Sequence, residues 1–179
     1  MKVAITGHSK GIGKAIYDTL SIDETVYGFS RSNGYDIVEQ HDIIVKSVLR
    51  CDVFINNAYQ GLEQVHLLNK VFQEWKDDET KTIINMSSLS KYPGLSGNQS
   101  GYSAHKAALS HQAFILMFKT DRKCRMINVN PGYVKTDMTK HAHDTNNMLT
   151  PQECANAVIW ALRQPQHVEI GELSLWRTF

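Results

Sequence analysis

The chain has 179 residues, a length that suits one domain with a substantial core and leaves no room for a separate substrate domain of ordinary size. Its 19 basic and 18 acidic residues give a net charge of +1 without blocks of like charge, so capture of nucleic acid or of a membrane surface is not expected. Three cysteines without a CxxC motif, and no signal-peptide core or membrane-length apolar run, predict a single cytoplasmic domain over residues 1–179 that acts on small molecules.

Short apolar runs with strand character alternate with helical patterns along the chain. The strand patterns lie at Val3–Ile5, Thr25–Phe29, Asp52–Ile55, Thr82–Met86, Arg125–Val129 and Glu172–Trp176, and the helical patterns at 11–20, 38–49, 62–77, 101–119 and 151–163. This alternation predicts an α/β fold, a doubly wound parallel sheet with helices on both faces. Ser30–Gly34 is too short to hold a crossover helix, so if Gly34–Ile37 is an edge strand, it is a very short one.

The first strand pattern runs directly into a glycine-rich loop. Gly7 can turn sharply off the strand, Gly11 lets a ligand approach the backbone, and Gly13 lets the following helix pack close to the sheet. A helix that starts near Gly11 directs free N–H groups and the positive end of its dipole at the loop, which suits a pyrophosphate. The glycines alone are equally compatible with an ordinary turn, but the order strand, loop, helix favours a phosphate site.

Further strand patterns end in small or polar residues at the edge of the sheet where the glycine loop lies. These ends carry Asn56–Ala58, the pair Ser87 and Ser88, and Pro131–Thr136. Ligands bind beyond the carboxyl ends of parallel strands, although two serines at a strand end are more typical of a simple turn.

A tyrosine and a lysine lie one turn apart on the next helical pattern. Tyr102 and Lys106 share a helix face, so the ammonium is expected near the phenol. A neighbouring cation lowers the pKa of a tyrosine and makes it a usable general acid or base. The spacing alone arises often by chance, and its position after the serine pair is what favours a catalytic role.

Together these motifs, in this order, resemble the short-chain dehydrogenase/reductase family from Lys2 to about Trp176. The matching segments are Thr6–Gly13, Asn56–Ala58, Asn85–Ser88, Tyr102 with Lys106, and Pro131–Thr136. The resemblance implies a Rossmann-type oxidoreductase that moves a hydride between a nicotinamide and a small carbonyl or alcohol substrate. It implies that Tyr102 is the acid/base, that Lys106 binds the nicotinamide ribose and lowers the tyrosine pKa, and that Ser88, or alternatively Ser87, holds the substrate oxygen.

The same resemblance implies a set of cofactor-binding residues. The set is Gly7, Ser9, Lys10, Gly11, Ile12, Gly13, Ser30, Arg31, Asp36, Ile37, Asn57, Ala58, Tyr102, Lys106, Pro131, Gly132, Val134 and Thr136. At the end of the second strand, Ser30 and Arg31 offer donors and a cation that suit a 2′-phosphate, and Lys10 adds a second cation. NADP(H) is therefore expected over NAD(H); the alternative is that both cations are merely solvated.

The chain also departs from the family pattern. The fourth catalytic residue of the family, an asparagine, is matched near its place by Gln60, with Asn69 as an alternative at a different spacing. Tyr59 replaces a glycine and is expected near the adenosine ribose. The short loop Thr139–Leu149 carries His141 and His143, which suggest a metal, but two histidines without clustered ligands are more typical of an exposed loop, and no metal site is predicted.

Two further expectations concern assembly and activity. The helical patterns 62–77 and 101–119 form the subunit interface in relatives, which implies a homodimer or homotetramer. The alternative to an enzyme is an NAD(P)-binding regulatory or interaction protein with little catalysis. The presence of Ser88, Tyr102 and Lys106 favours the enzyme, whereas the short substrate loop and the missing asparagine favour the regulator.

Overall fold

Six parallel strands form the centre of the computed structural model, which describes residues 1–93, 100–141 and 147–178. The strands lie in the order β2-β1-β3-β4-β5-β6. They are β1 (Lys2–Thr6), β2 (Thr25–Phe29), β3 (Val53–Asn56), β4 (Thr82–Met86), β5 (Arg125–Pro131) and β6 (Glu172–Leu175). The predicted α/β fold with a doubly wound parallel sheet is confirmed, and the strands begin and end close to the predicted positions.

Helices connect the strands and cover both faces of the sheet. They are α1 (Gly11–Leu20), α2 (His41–Val48), α3 (Glu63–Trp75), α4 (Ser100–Met117) and α5 (Pro151–Leu162). Short 3₁₀ turns occur at Arg31–Asn33, Leu89–Lys91 and Asp137–Thr139. None of the helices within the described ranges is long and apolar enough to cross a membrane.

The segment Gly34–Ile37 is not a strand, so β2 is itself the edge of the sheet. From the 3₁₀ turn the chain passes directly towards α2. The Asp36 carboxylate accepts a hydrogen bond from the backbone N–H of Val38 at 2.8 Å, and the side chain of Ile37 is buried in the core under the helices. The short connection therefore leads from β2 to α2 without adding a strand to the sheet.

The two faces of the sheet bury different sets of side chains because neighbouring residues of a strand point to opposite faces. On the face covered by α2, α3 and α4, the central strands contribute an apolar layer of Ala4, Phe54, Ile83 and Met126. Two residues further along the same strands lies a polar layer of Thr6, Asn56, Asn85 and Asn128, all fully buried. Asn85 is in register with Asn56 on one side and with Asn128 on the other. The polar layer thus lies at the carboxyl ends of the strands, under α3 and α4.

Candidate active site

The glycine loop has the geometry of a backbone cradle. Gly7 and Gly11 have φ angles of +74° and +55°, a region of backbone conformation that residues other than glycine rarely adopt. A Cβ on Gly13 would lie 2.2 Å from the carbonyl oxygen of Gly7, so only glycine lets the start of α1 pack this close. The first turn of α1 therefore packs close to the loop, and its free N–H groups fit a bound phosphate group.

Asn57 and Ala58 are held against this loop by Thr6 at the end of β1. The Thr6 hydroxyl accepts hydrogen bonds from the backbone N–H groups of Asn57 and Ala58, at 3.0 Å each. The side-chain amide of Asn57 donates to the carbonyl oxygen of Thr6 at 2.9 Å. The segment with Asn57 and Ala58 is thus held beside the glycine loop.

The segment after β5 reaches both the glycine loop and the serine pair. The Thr136 methyl carbon would lie 3.2 Å from a Cβ on Gly11, and the Ser88 hydroxyl donates to the carbonyl oxygen of Pro131 at 3.4 Å. The backbone N–H of Gly132 donates to Leu175 of β6 at 2.7 Å. The glycine loop, the serine pair and the segment after β5 therefore meet at the carboxyl ends of the strands.

An open cleft of about 850 Å³ adjoins the glycine loop. Its lining includes Ser9, Gly11, Thr136 and the side chains of Lys10 and Lys135. The Lys10 ammonium lies 3.4 Å from a carboxylate oxygen of Asp137, with both side chains largely exposed. Such exposed pairs are weak, so Lys10 is able to exchange its carboxylate partner for a ligand anion.

Tyr102, in the first turn of α4, lies beside the side chain of Ser88. Burial raises the pKa of Tyr102 above its ordinary value; the adjacent Ser88 side chain lowers it, and Tyr59 raises it further. Lys106 is not among the groups that shift the pKa of this phenol, so its expected lowering of that pKa stays a prediction. Desolvation dominates, and the Lys106 ammonium, 5.6 Å from the Tyr102 ring centroid, is directed at other acceptors.

Ser87 faces α4 instead of the edge of the sheet. Its hydroxyl donates to the carbonyl oxygen of Lys106 at 3.1 Å and lies 2.7 Å from the hydroxyl of Ser110. These contacts fasten α4 to the end of β4. Of the two serines, Ser88 is the one that contacts Tyr102.

Lys106 is buried, with 3% of its surface exposed, and its ammonium contacts Gln64 of α3. The Nζ atom donates to Oε1 of Gln64 at 2.7 Å and to the carbonyl oxygen of Met86 at 2.6 Å. Burial lowers the pKa of Lys106 to about 7. The residue that contacts the lysine is therefore Gln64, and neither Gln60 nor Asn69.

The two residues suggested from the sequence lie elsewhere. Gln60 is exposed in the turn before α3, and the side chain of Asn69 accepts a hydrogen bond from Gln112 at 2.7 Å. A signal for Gln64 was present in the sequence: it precedes Leu67, Leu68 and Val71 at helical spacing, so it falls on the buried face of α3. A glutamine on an apolar face needs hydrogen-bond partners in the core.

Tyr59 lies against the catalytic tyrosine candidate. Its ring packs edge-on against Tyr102 with 4.8 Å between centroids, and its hydroxyl lies 3.0 Å from Nδ1 of His105. Tyr59 covers the Lys106 ammonium, which lies 5.4 Å from its ring centroid.

The remaining residues of the predicted cofactor-binding set are arranged unevenly. The buried Ser30 hydroxyl is already shared with Ser32 at 2.8 Å, whereas Arg31 is exposed. Ile37 offers only its backbone because its side chain is in the core. Ile12 packs partly against the core on the opposite face, and Val134 is buried and bridges to Leu149. Arg31 thus presents an accessible cation just after β2.

The histidine loop gives no metal site within the described ranges. No group of three or more histidine, cysteine or acidic side chains there is arranged to hold a metal ion. His141 is exposed, while His143 and Asp144 lie outside the described residues.

Comparison with known proteins gives consistent matches. The sequence profile described as short chain dehydrogenase matches residues 63–147. An uncharacterized oxidoreductase of Staphylococcus aureus is 33% identical over an alignment of 200 positions, which spans 97% of this chain and 85% of the relative. A 3-ketoacyl-(acyl-carrier-protein) reductase of Brucella melitensis, solved with NADH, superposes with a TM-score of 0.81 at 18% identity over 97% of this chain and 96% of that one. A short chain dehydrogenase of Burkholderia cenocepacia, solved with NADP, gives 0.80 at 21% identity over 97% and 86%.

Proposed function

Because this chain belongs to the short-chain dehydrogenase/reductase family of oxidoreductases, we propose that it is an NADP(H)-dependent reductase of a small carbonyl compound. One observation carries the proposal: the side chains of Ser88 and Tyr102 adjoin each other at the carboxyl ends of the strands, where the glycine loop also lies. Lys106 lies behind the same ring, 5.6 Å from its centroid. A proton donor, an oxygen ligand and a cation thus adjoin a phosphate cradle.

The residues around the glycine loop fit a dinucleotide. Gly7, Gly11 and Gly13 allow the close packing that brings the start of α1 to the loop, where its N–H groups would bind a pyrophosphate, and Asn57 and the Pro131–Thr136 segment would flank the two ends of the molecule. When bound, the nicotinamide supplies the hydride that reduces the substrate's carbonyl carbon. Lys106 would donate hydrogen bonds to the nicotinamide ribose.

The raised pKa of Tyr102 supports a role as proton donor. A phenol whose pKa is raised keeps its proton at neutral pH, so Tyr102 is able to protonate the carbonyl oxygen as it gains negative charge. Ser88 would hold that oxygen by donating its hydroxyl hydrogen. In the opposite direction, the same pair would accept the proton of an alcohol.

The preference for NADP(H) is supported by the exposed Arg31 at the end of β2. A guanidinium binds a phosphate through two parallel hydrogen bonds. Neither of the two positions after β2, Ser30 and Arg31, carries an acidic side chain that would repel the 2′-phosphate. Lys10 adds a cation from the glycine loop. Its present partner, Asp137, is exposed and would be displaced with little loss.

Replacing Tyr102 with phenylalanine tests the catalytic proposal. NADPH oxidation is measured against a panel of small aldehydes and ketones, and Tyr102→Phe is expected to lower kcat by about 10²–10⁴ because the proton donor is lost. The matched control is Tyr59→Phe, which keeps the ring packing on Tyr102 and loses only the hydroxyl that contacts His105. It should retain most of the activity.

The alternative function predicts a different outcome. If the wild-type protein binds NADPH but turns over no carbonyl compound, and Tyr102→Phe behaves identically, the chain is a dinucleotide-binding regulator. Equal losses in Tyr102→Phe and Tyr59→Phe would instead show that the hydroxyl of Tyr102 has no special role, because each variant loses one hydroxyl and keeps the packing of the two rings.

Arg31→Ala tests the choice of cofactor. Fluorescence titration is expected to show NADPH binding weakened about tenfold with NADH binding unchanged, because only the 2′-phosphate loses a partner. The matched control is Arg50→Ala. Arg50 precedes β3 and therefore lies at the opposite end of the strands from Arg31. Equal affinity of the wild type for NADPH and NADH would contradict the proposed preference.

The proposal includes self-association and a cytoplasmic location. Ile115 of α4 and Phe118 just after it are 48% and 77% exposed, which supports a homodimer or homotetramer that buries α3 and α4. Sedimentation velocity tests this, with Phe118→Asp expected to give a monomer. The three cysteines are free and buried, as expected for a protein kept in a reducing compartment.

A further inference from the structure

The Lys106 ammonium is held entirely by uncharged oxygens. Its two acceptors are Oε1 of Gln64 and the carbonyl oxygen of Met86, and none of the described acidic side chains forms an ion pair with it. The titratable groups that face it are the phenols of Tyr59 and Tyr102, through their rings. A buried cation with so few partners depends strongly on each of them.

The orientation of the Gln64 amide follows from its other contacts. Its Nε2 atom donates to the carbonyl oxygens of Asn56 at 2.7 Å and Met86 at 3.3 Å. A flipped amide would place its oxygen against two carbonyl oxygens and its N–H groups against an ammonium, which has only donors. The side-chain oxygen is therefore directed at Lys106.

Asn56 in turn fixes the position of Gln64. The side-chain amide of Asn56 donates to the backbone carbonyl of Gln64 at 2.8 Å and to Oδ1 of Asn85 at 3.1 Å. Asn56 and Gln64 thus form a reciprocal pair in which each side chain bonds the other's backbone. This pair ties the first turn of α3 to the ends of β3 and β4, the strand that leads to Ser88.

We propose that Gln64 is a positioning residue for Lys106: its side-chain oxygen holds the ammonium behind the Tyr102 ring, from where Lys106 would reach the nicotinamide ribose. The functional part of this proposal rests on the proposed function of Lys106. Gln64 itself touches neither the phenol nor the serine. It sets where the cation lies and how readily it keeps its charge.

A direct test follows the charge of Lys106 in the protein without cofactor. The chain is produced with lysine labelled with ¹³C at Cε, the Lys106 signal is assigned with Lys106→Met, and its NMR shift is followed with pH. The wild-type midpoint is expected near the pKa of about 7 that burial produces. Gln64→Met removes the acceptor at similar side-chain length and is expected to lower the midpoint by about 1 unit.

Two further variants make the test specific. Gln64→Glu keeps an acceptor and adds a negative charge, so the midpoint should rise by about 1 unit or more. Gln112→Met is the matched control, because it removes a glutamine hydrogen bond between the same two helices, to Asn69, without contacting Lys106. It should leave the midpoint unchanged. If Gln64→Met does not fold, the upward shift in Gln64→Glu decides.

An unchanged midpoint in the folded Gln64 variants, or an equal shift in Gln112→Met, overturns the proposal. Where the wild type reduces a carbonyl compound, the pH profile of kcat should move in the same direction as the midpoint in each variant. If the wild type turns over no substrate, the proposed function fails while the titration still decides whether Gln64 positions Lys106.

Discussion

The apolar layer and the polar layer occupy the same face of the same strands, two residues apart, yet bury opposite kinds of side chain. Phe54 and Ile83 are completely buried, and so are Asn56 and Asn85, which follow them at the next positions on that face. Helices α3 and α4 cover both layers. Burial of the first layer stabilises the fold through apolar area, whereas burial of the second loses the hydration of amide groups and needs hydrogen bonds in return.

Those hydrogen bonds are incomplete. Within the described ranges, Nδ2 of Asn85, Oδ1 of Asn56 and both polar atoms of the Asn128 side chain have no protein partner. The polar layer thus stabilises the sheet less than the apolar layer does, but it holds Lys106 in place. Asn56 is hydrogen-bonded to Gln64, and Gln64 accepts a hydrogen bond from Lys106. Stability is reduced where the candidate site needs fixed polar groups.

The largest effect is expected in the apolar layer. Phe54→Ala should lower the free energy of unfolding by about 3–5 kcal/mol, because it removes a fully buried ring and leaves a cavity. Urea denaturation measures this. A loss below about 1 kcal/mol would mean that the apolar layer is not the more stabilising of the two.

A smaller, pH-dependent effect is expected at Lys106. Its pKa in the folded protein is about 7, lowered by burial from an ordinary value of 10.5, so above pH 7 the unfolded chain binds more protons than the folded one. The stability of the wild type should therefore rise with pH in this window, by about 1.4 kcal/mol per unit.

The comparison with Lys106→Met isolates this effect because other groups titrate equally in both proteins. Between pH 7 and pH 8.5, urea denaturation should show the wild type gaining about 2 kcal/mol relative to Lys106→Met. Below pH 7 the difference should be constant. A difference that stays constant over the whole range would show that the lysine is not held as a destabilised cation.

The smallest effect is expected at Asn128. Asn128→Leu replaces a buried amide that has no described protein partner with an apolar side chain of similar size. Stability should stay the same or rise by up to about 1 kcal/mol. A clear loss in thermal denaturation would reveal hydrogen bonds to Asn128 and would make the two layers more alike than the contacts suggest.

Much of the fold could be predicted because its signals are local. The spacing of Gly7, Gly11 and Gly13 follows from the turn and the close packing that each requires, and the structure has both features. The same holds for the strands, since their apolar runs are bounded by polar turns. The connection at Gly34–Ile37 was less certain because so short a segment has no period of its own.

The surroundings of Lys106 could not be read in this way. Spacing along α4 places Lys106 beside Tyr102, but it does not say where the ammonium points. Gln64 is distant in sequence and reaches the lysine only because α3 and α4 pack side by side on the sheet. The raised pKa of Tyr102 has the same origin, since burial depends on everything packed around the ring.

The sequence by itself determined the order of strands and helices, the glycine cradle and the residue types at the strand ends. These follow from the local steric preferences and periodicity of the chain. Tertiary structure alone decided that Ser88 and not Ser87 contacts Tyr102, that Gln64 contacts Lys106, and that Tyr59 covers the ammonium. Hydrogen bonding and desolvation between distant segments depend on distances that only the packed fold sets.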